Sequence, residues 1–365
     1  MINWHSIEQF FKQKLVRFLE SALGKRELTP TDIDHNSIKK ILIIRQHDQL
    51  GDFILSTPAF RALRAKYPDA QITIVARHYT TAVVLNNRYI NKVITFYEHG
   101  RDWNLQRLRT LLSELRAGYD LTVVLNTVSH SLTSDLLAWL SGARYILGSE
   151  HLRFSGTRRN FFYHLTAPYY EGECNQSERN VDIVRYIGAD TDDLSEHITL
   201  TQAEYEWATG QLHELGWDGR QKILAIHPGA GKLGNRWPVH YFVQAANILT
   251  AKHNLLAALA WGPAEADLGK ELCAGLSCPY IIINNKDIRK LAALLAHSGL
   301  FLCNDTGVLH VAAAVGAPLV AVFGPTNPAE WKPVGEQFAA VRGSTHNCSD
   351  VQPEQVIARA EKLLF

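Results

Sequence analysis

Three apolar runs in this chain each end in a polar turn, and each turn leads toward a helical pattern. Ile41 to Arg45 runs into Gln46-His47-Asp48-Gln49-Leu50-Gly51-Asp52. Ile223 to Ile226 runs into His227-Pro228-Gly229-Ala230-Gly231-Lys232. Gly299 to Cys303 runs into Asn304-Asp305-Thr306-Gly307-Val308-Leu309-His310. Strand, turn and helix in alternation specify parallel sheets, because parallel neighbours need a crossover connection. In such sheets ligands sit beyond the carboxyl ends of the strands, where these three turns fall. The pattern therefore predicts one cleft lined by all three.

The alternation continues through both halves. Further strands are expected at 71–76, 92–96, 121–126 and 145–147, then at 255–261, 280–283 and 319–323. Helices are expected at 58–67, 105–117, 131–140 and 179–187, then at 203–215, 239–251, 264–274, 288–296, 308–315 and 353–364. Residues 153–170 read as irregular, and residues 188–196 as an acidic linker. The reading divides the chain into an amphipathic helix and connector at 1–37, a first Rossmann-like domain at 38–190, a second at 191–350 and a C-terminal helix at 351–365. A length of 365 residues suits two domains.

Charge and cysteine content narrow the function. The formal net charge is +1, which gives no field for binding nucleic acid. The five cysteines form no CxxC pair, which predicts reduced thiols in a cytoplasmic protein and no zinc site. No apolar run is long enough to span a bilayer. The N-terminal segment has an apolar stripe of Phe11, Leu15, Phe18 and Ala22, with Lys12, Arg17, Lys25 and Arg26 around it. Two readings stand for it: a helix packed on the body, or an interfacial helix on an anionic membrane.

The turns carry candidate chemistry. Gly229-Ala230-Gly231-Lys232-Leu233-Gly234 matches a dinucleotide-binding pattern, but Pro238 places the helix start after the last glycine. A glycine turn with Lys232 and Arg236 still suits a diphosphate. The start of the helix carrying Thr306, Gly307 and His310 offers free N–H groups to an anion, with Asp305 as cap and organiser. Asp52 is a helix cap or a general base. No cluster has metal-ligand spacing.

Taken together, these residues resemble glycosyltransferase family 9, the bacterial heptosyltransferases of lipopolysaccharide core assembly. The resemblance rests on three ordered blocks between about Ile38 and Pro333. The first is Ile43-Ile44-Arg45, Gly51-Asp52, Ser56-Thr57-Pro58 and Arg61-Ala62-Leu63. The second is His227-Pro228-Gly229-Ala230 with Arg236-Trp237-Pro238. The third is Asn304-Asp305-Thr306-Gly307 with His310, then Phe323-Gly324-Pro325-Thr326 and Trp331.

The resemblance implies a GT-B fold, two Rossmann-like parallel-sheet domains facing across a cleft. It implies an inverting, metal-independent transfer of a sugar, heptose from ADP-heptose, to a lipopolysaccharide-core or related lipid-linked acceptor. Asp52 takes the place of the base. Lys232, Arg236, Glu265, Asp305, Thr306, Gly307 and His310 fall on the donor side, and Arg45, Gly51 and Arg61 on the acceptor side. The nucleotide sugar is a co-substrate, with no cofactor. Peripheral location on the inner face of the cytoplasmic membrane would suit a lipid-linked acceptor. The alternatives are another GT-B enzyme, such as a sugar-nucleotide epimerase, and a non-catalytic nucleotide-sugar-binding protein.

Overall fold

The computed structural model describes residues 14, 16, 18–47, 49–155 and 157–364. Phe11, Lys12, Leu15, Arg17 and Asp48 lie outside the described residues, so half of the N-terminal stripe and one residue of the first turn have no structural account.

Two six-stranded parallel sheets carry the fold. The first contains β1 (Lys40–Arg45), β2 (Gln71–Arg77), β3 (Lys92–Phe96), β4 (Leu121–Val124), β5 (Tyr145–Ser149) and β6 (Leu165–Ala167) in the order β3-β2-β1-β4-β5-β6. The second contains β7 (Ile223–His227), β8 (Leu256–Leu259), β9 (Tyr280–Ile282), β10 (Ser298–Asn304), β11 (Leu319–Phe323) and β12 (Phe338–Arg342) in the order β12-β11-β10-β7-β8-β9. Each order runs outward from its first strand in both directions. The reversal falls between β1 and β4 in one sheet and between β7 and β10 in the other. Those are the two switch points where a crevice opens.

Strand sequences explain the layering. Ile41 and Ile43 join one buried cluster while Leu42 and Ile44 join another, as successive side chains point to opposite faces. Both faces are covered, so the strands read as unbroken apolar runs. One cluster continues from Ile41 and Ile74 through Phe53 and Leu309 to Phe301 and Cys303, so the halves share a core. The outer face of the second sheet packs on Trp237, Phe242 and the Pro353–Leu364 helix, which is thereby joined to the second half.

Residues 153–170 were expected to be irregular, yet Leu165–Ala167 forms β6 and pairs with β5. β12, absent from the sequence expectations, pairs along β11 from Phe338 to Arg342. The N-terminal helix follows the packed reading for the residues described. Val16, Leu19 and Leu23 contact the cluster that holds Leu111 and Phe161, while Phe18 stays 67% exposed.

Candidate active site

At the β1 exit, two arginines fix the turn. Arg45 is buried and donates to the backbone carbonyls of Leu125 and, at 2.5 Å, of Asp52. Arg77 donates to Gln46 O at 2.8 Å and to His47 O. A short helix, Leu50–Ile54, follows. Asp52 is its third residue and reaches back to the Gln49 N–H at 3.2 Å. The structure gives its carboxylate a capping duty from inside the helix.

The β10 exit faces this turn from the other half. The Leu50–Ile54 helix packs on the Gly307–Ala314 helix. A Cβ on Gly307 would lie 3.5 Å from Leu50 Cβ. A Cβ on Gly51 would lie 2.7 Å from His310 Cδ2, so only glycine permits this approach. The base candidate and the helix start that follows Thr306 thus meet across the boundary between the halves.

His310 was expected to contact the donor from an open turn. The structure corrects that picture: the residue is 3% exposed, and Nδ1 pairs with Glu196 Oε1 at 2.8 Å. Burial lowers the proton affinity of the ring, but Glu196, Asp305 and Asp52 outweigh it, and the net pKa is raised. Glu196 lies in the stretch read only as an acidic linker. Its contact spans more than a hundred residues of sequence, beyond any local pattern.

Asp305 was expected to cap the following helix. It does not: Thr306 is the N-cap residue, and Asp305 Oδ2 accepts from Asn235 Nδ2 at 2.9 Å and Thr326 Oγ1 at 2.5 Å. Its organising role is real, since it ties the β7 and β11 exits to β10. Asn304, at the end of β10, ties the β7 exit to it from a fully buried position. Its amide accepts from Trp237 N at 2.9 Å and donates to Pro228 O at 2.8 Å.

At the β7 exit, Arg236 is half-buried and its Nε donates to Ala230 O at 2.9 Å, while Lys232 is exposed. Glu265 accepts from Gly262 N at 2.8 Å and stands 3.7 Å from His227 Nε2. A Cβ on Gly229 would lie 2.0 Å from Glu265 Oε1, so the glycine turn passes directly beneath the carboxylate. His227 is buried, which lowers its pKa despite Glu265. The structure therefore gathers Lys232, Arg236, Glu265, Asp305, Thr306 and Gly307 on three adjoining strand exits.

Two acceptor-side assignments need correction. The carbonyl contacts of the buried Arg45 brace the fold from within. Arg61 sits on the Thr57–Lys66 helix and pairs with Asp193 at 2.9 Å, and it also bonds Ser195 O at 3.2 Å. It clamps the linker. Gly51, by contrast, packs directly against His310 of the second half.

A carboxylate on one Rossmann-like half, opposed by cations and a helix start on the other, is the arrangement of a GT-B glycosyltransferase. The chain belongs to glycosyltransferase family 9 (heptosyltransferase), whose family model matches residues 108–360. The match includes every donor-side residue above and begins after Asp52. The chain is similar to lipopolysaccharide heptosyltransferase 3 of Escherichia coli, at 28% identity over 78% of this chain and 83% of that protein. It is also similar to lipooligosaccharide heptosyltransferase 2 of Haemophilus ducreyi, at 25% identity over 89% of this chain and 99% of that one.

Among solved structures, the glycosyl transferase family 9 protein of Veillonella parvula aligns with a TM-score of 0.76 at 22% identity, over 89% of this chain and 97% of that chain. The E. coli heptosyltransferase WaaC with ADP aligns with a TM-score of 0.70 at 18% identity, over 88% and 99%. At such identities these structures establish the shared fold.

Proposed function

We propose that this glycosyltransferase moves heptose from ADP-heptose onto a saccharide of the lipopolysaccharide core or a related lipid-linked acceptor, with inversion at the anomeric carbon. The observation that carries the reading is the meeting of the Gly51-Asp52 turn with the Thr306-Gly307 helix start. The names of the curated relatives, and the ADP bound in the similar E. coli structure, support the choice of donor and acceptor.

In this mechanism the nucleotide lies along the β7 and β10 exits. Glu265, an acceptor-only carboxylate beside the glycine turn, takes the ribose hydroxyls. Arg236, with Lys232, holds the diphosphate, and the N–H groups of the helix start add a positive dipole end. Asp52 takes the proton from the attacking hydroxyl as its bond to the anomeric carbon forms. The bond to the diphosphate breaks at the same time, and its negative charge develops toward the donor-side cations, which stabilise it without a metal. His310 supports the closed arrangement by filling the space against Gly51. A peripheral membrane contact through the outward face at Phe18, on the cytoplasmic side, would bring the enzyme to a lipid-linked acceptor.

The test is turnover of ADP-heptose with a lipopolysaccharide-core acceptor after treatment with EDTA. Transfer at the untreated rate is expected. Failure with ADP-heptose but turnover of a UDP- or GDP-sugar would overturn the donor assignment. A requirement for added Mg²⁺ would overturn metal independence.

A further inference from the structure

The switch point of the first sheet holds a polar cluster that the mechanism above does not use. His130 follows β4 and directs Nε2 at Asp135 Oδ2, 2.6 Å away. The Asp135 side chain is fully buried, whereas that of His130 is 25% exposed. The other carboxylate oxygen, Oδ1, accepts from Tyr163 OH and from Asn160 Nδ2 at 3.1 Å. Phe154 closes one side of the imidazole, edge to face, with ring centroids 4.4 Å apart. The ring is thus fixed in position, with Nε2 turned inward and Nδ1 left as its outer nitrogen.

The cluster adjoins the catalytic turn. His47 Nε2 and Ser129 Oγ are 2.9 Å apart, which holds the His130 loop against the β1 exit that carries Asp52. Asn126 Nδ2 donates to Ser134 Oγ at 3.0 Å, and that hydroxyl lies 3.4 Å from Gln46 Oε1. A second observation comes from the same strand end. Asn126 and Thr127 are 3% and 4% exposed, and their Oδ1 and Oγ1 atoms have no hydrogen-bond partner among the described residues. Enclosed polar atoms are ordinarily satisfied, so this pair has hydrogen-bonding capacity left for a group bound beside the crevice.

We propose that His130, oriented by Asp135 and backed by the Asn126-Thr127 strand end, is the acceptor subsite and binds an anionic group of the acceptor saccharide, a phosphate or a carboxylate. Asp135 holds Nε2 on the inner side, and the ring presents Nδ1 to the ligand on its outer side. A group that only accepts hydrogen bonds is its complement. Bound there, the acceptor lies beside the β1 exit, on the same side of the cleft as Asp52. The inference rests on the reading of the chain as a transferase to a lipopolysaccharide-core or related lipid-linked acceptor. Asp135 acts through His130 and is a positioning residue.

The test compares the full-length protein with His130→Gln and Asp135→Asn. The probes are a lipopolysaccharide-core glycolipid, its phosphatase-treated form and its carboxyl-reduced form. Calorimetry reads binding of each glycolipid and of ADP, and a transfer assay reads the acceptor KM. Both variants are expected to bind the untreated glycolipid at least tenfold more weakly and to raise the acceptor KM in proportion, with ADP affinity within twofold of the parent protein. The loss should vanish with one treated form, which identifies phosphate or carboxylate as the source. Equal losses for all three forms, glycolipid affinity within twofold of the parent, or no binding by the parent protein would overturn the proposal. If the parent binds the glycolipid through His130 but transfers nothing to it, the subsite stands and the transferase reading falls.

Discussion

Asn304 joins the β10 exit to the β7 exit through a single buried amide, accepting from Trp237 N and donating to Pro228 O. Leucine has the same branching and neither hydrogen-bonding group. Asn304→Leu therefore leaves two enclosed backbone groups unsatisfied, at a cost of about 1–3 kcal/mol each. A clearly lower melting temperature together with weaker ADP binding is the expected result; an unchanged melting curve would contradict this account of the turn. Arg236 differs, because its guanidinium bonds Ala230 O and sits half-buried beside the glycine turn. Arg236→Ala should weaken ADP more than adenosine, since the lost contact is to the diphosphate. Equal losses for both ligands by calorimetry would show that the side chain acts on the fold.

Among the elements, the long apolar strands were legible and the short ones were not. β1, β7 and β10 each present a run of apolar side chains that no other structure would bury on two faces. β6 is only Leu-Thr-Ala, too short to show a period, and exists because β5 offers an open edge. β12, Phe-Ala-Ala-Val-Arg, has two alanines at its centre and acquires strand geometry by pairing with β11. The same limit governs the site. Asp52, Asp305 and the glycine turn stand at strand ends and were visible. The Glu196–His310 and Asp135–Tyr163 pairs are made by chain segments far apart, which no spacing rule reaches.

The N-terminal helix shows the limit of amphipathic reading, since Val16, Leu19 and Leu23 are the residues seated on the body. Further along, Lys25 Nζ lies 5.8 Å from the centroid of the Trp139 ring. Deleting residues 1–28 should uncover that ring and the cluster beneath the helix and lower the melting temperature by several degrees. A truncated protein that melts as the full chain does would show that the contact adds no stability.

At the scale of the molecule, the halves are held by a charged clamp. Arg289 is buried; it donates to Ala82 O at 2.9 Å and Thr199 O at 2.7 Å, and it pairs with Glu204 at 2.5 Å. Hydrogen bonding from Arg289 and from Thr201 outweighs desolvation and draws the Glu204 pKa from 4.5 down to about 2. A carboxylate depressed in the folded state contributes stability above its unfolded pKa and loses it as pH falls through the folded one. The stability difference between the parent protein and Glu204→Gln should therefore be full above pH 4.5 and shrink as pH drops toward 2. A difference that stays constant across that window, measured by denaturant unfolding, would remove the clamp from the account.

The clamp matters because the proposed chemistry needs both halves together, with Asp52 from one and the nucleotide on the other. The most direct measurement follows a single transfer reaction in the parent protein and in Asp52→Asn. NMR determines the anomeric configuration of the product, and calorimetry measures ADP binding. The account predicts a product of inverted configuration and a rate that falls by about 10²–10⁴ in the variant, the usual value of a general base, with ADP binding retained. Retained configuration, or turnover by Asp52→Asn close to that of the parent, would contradict it.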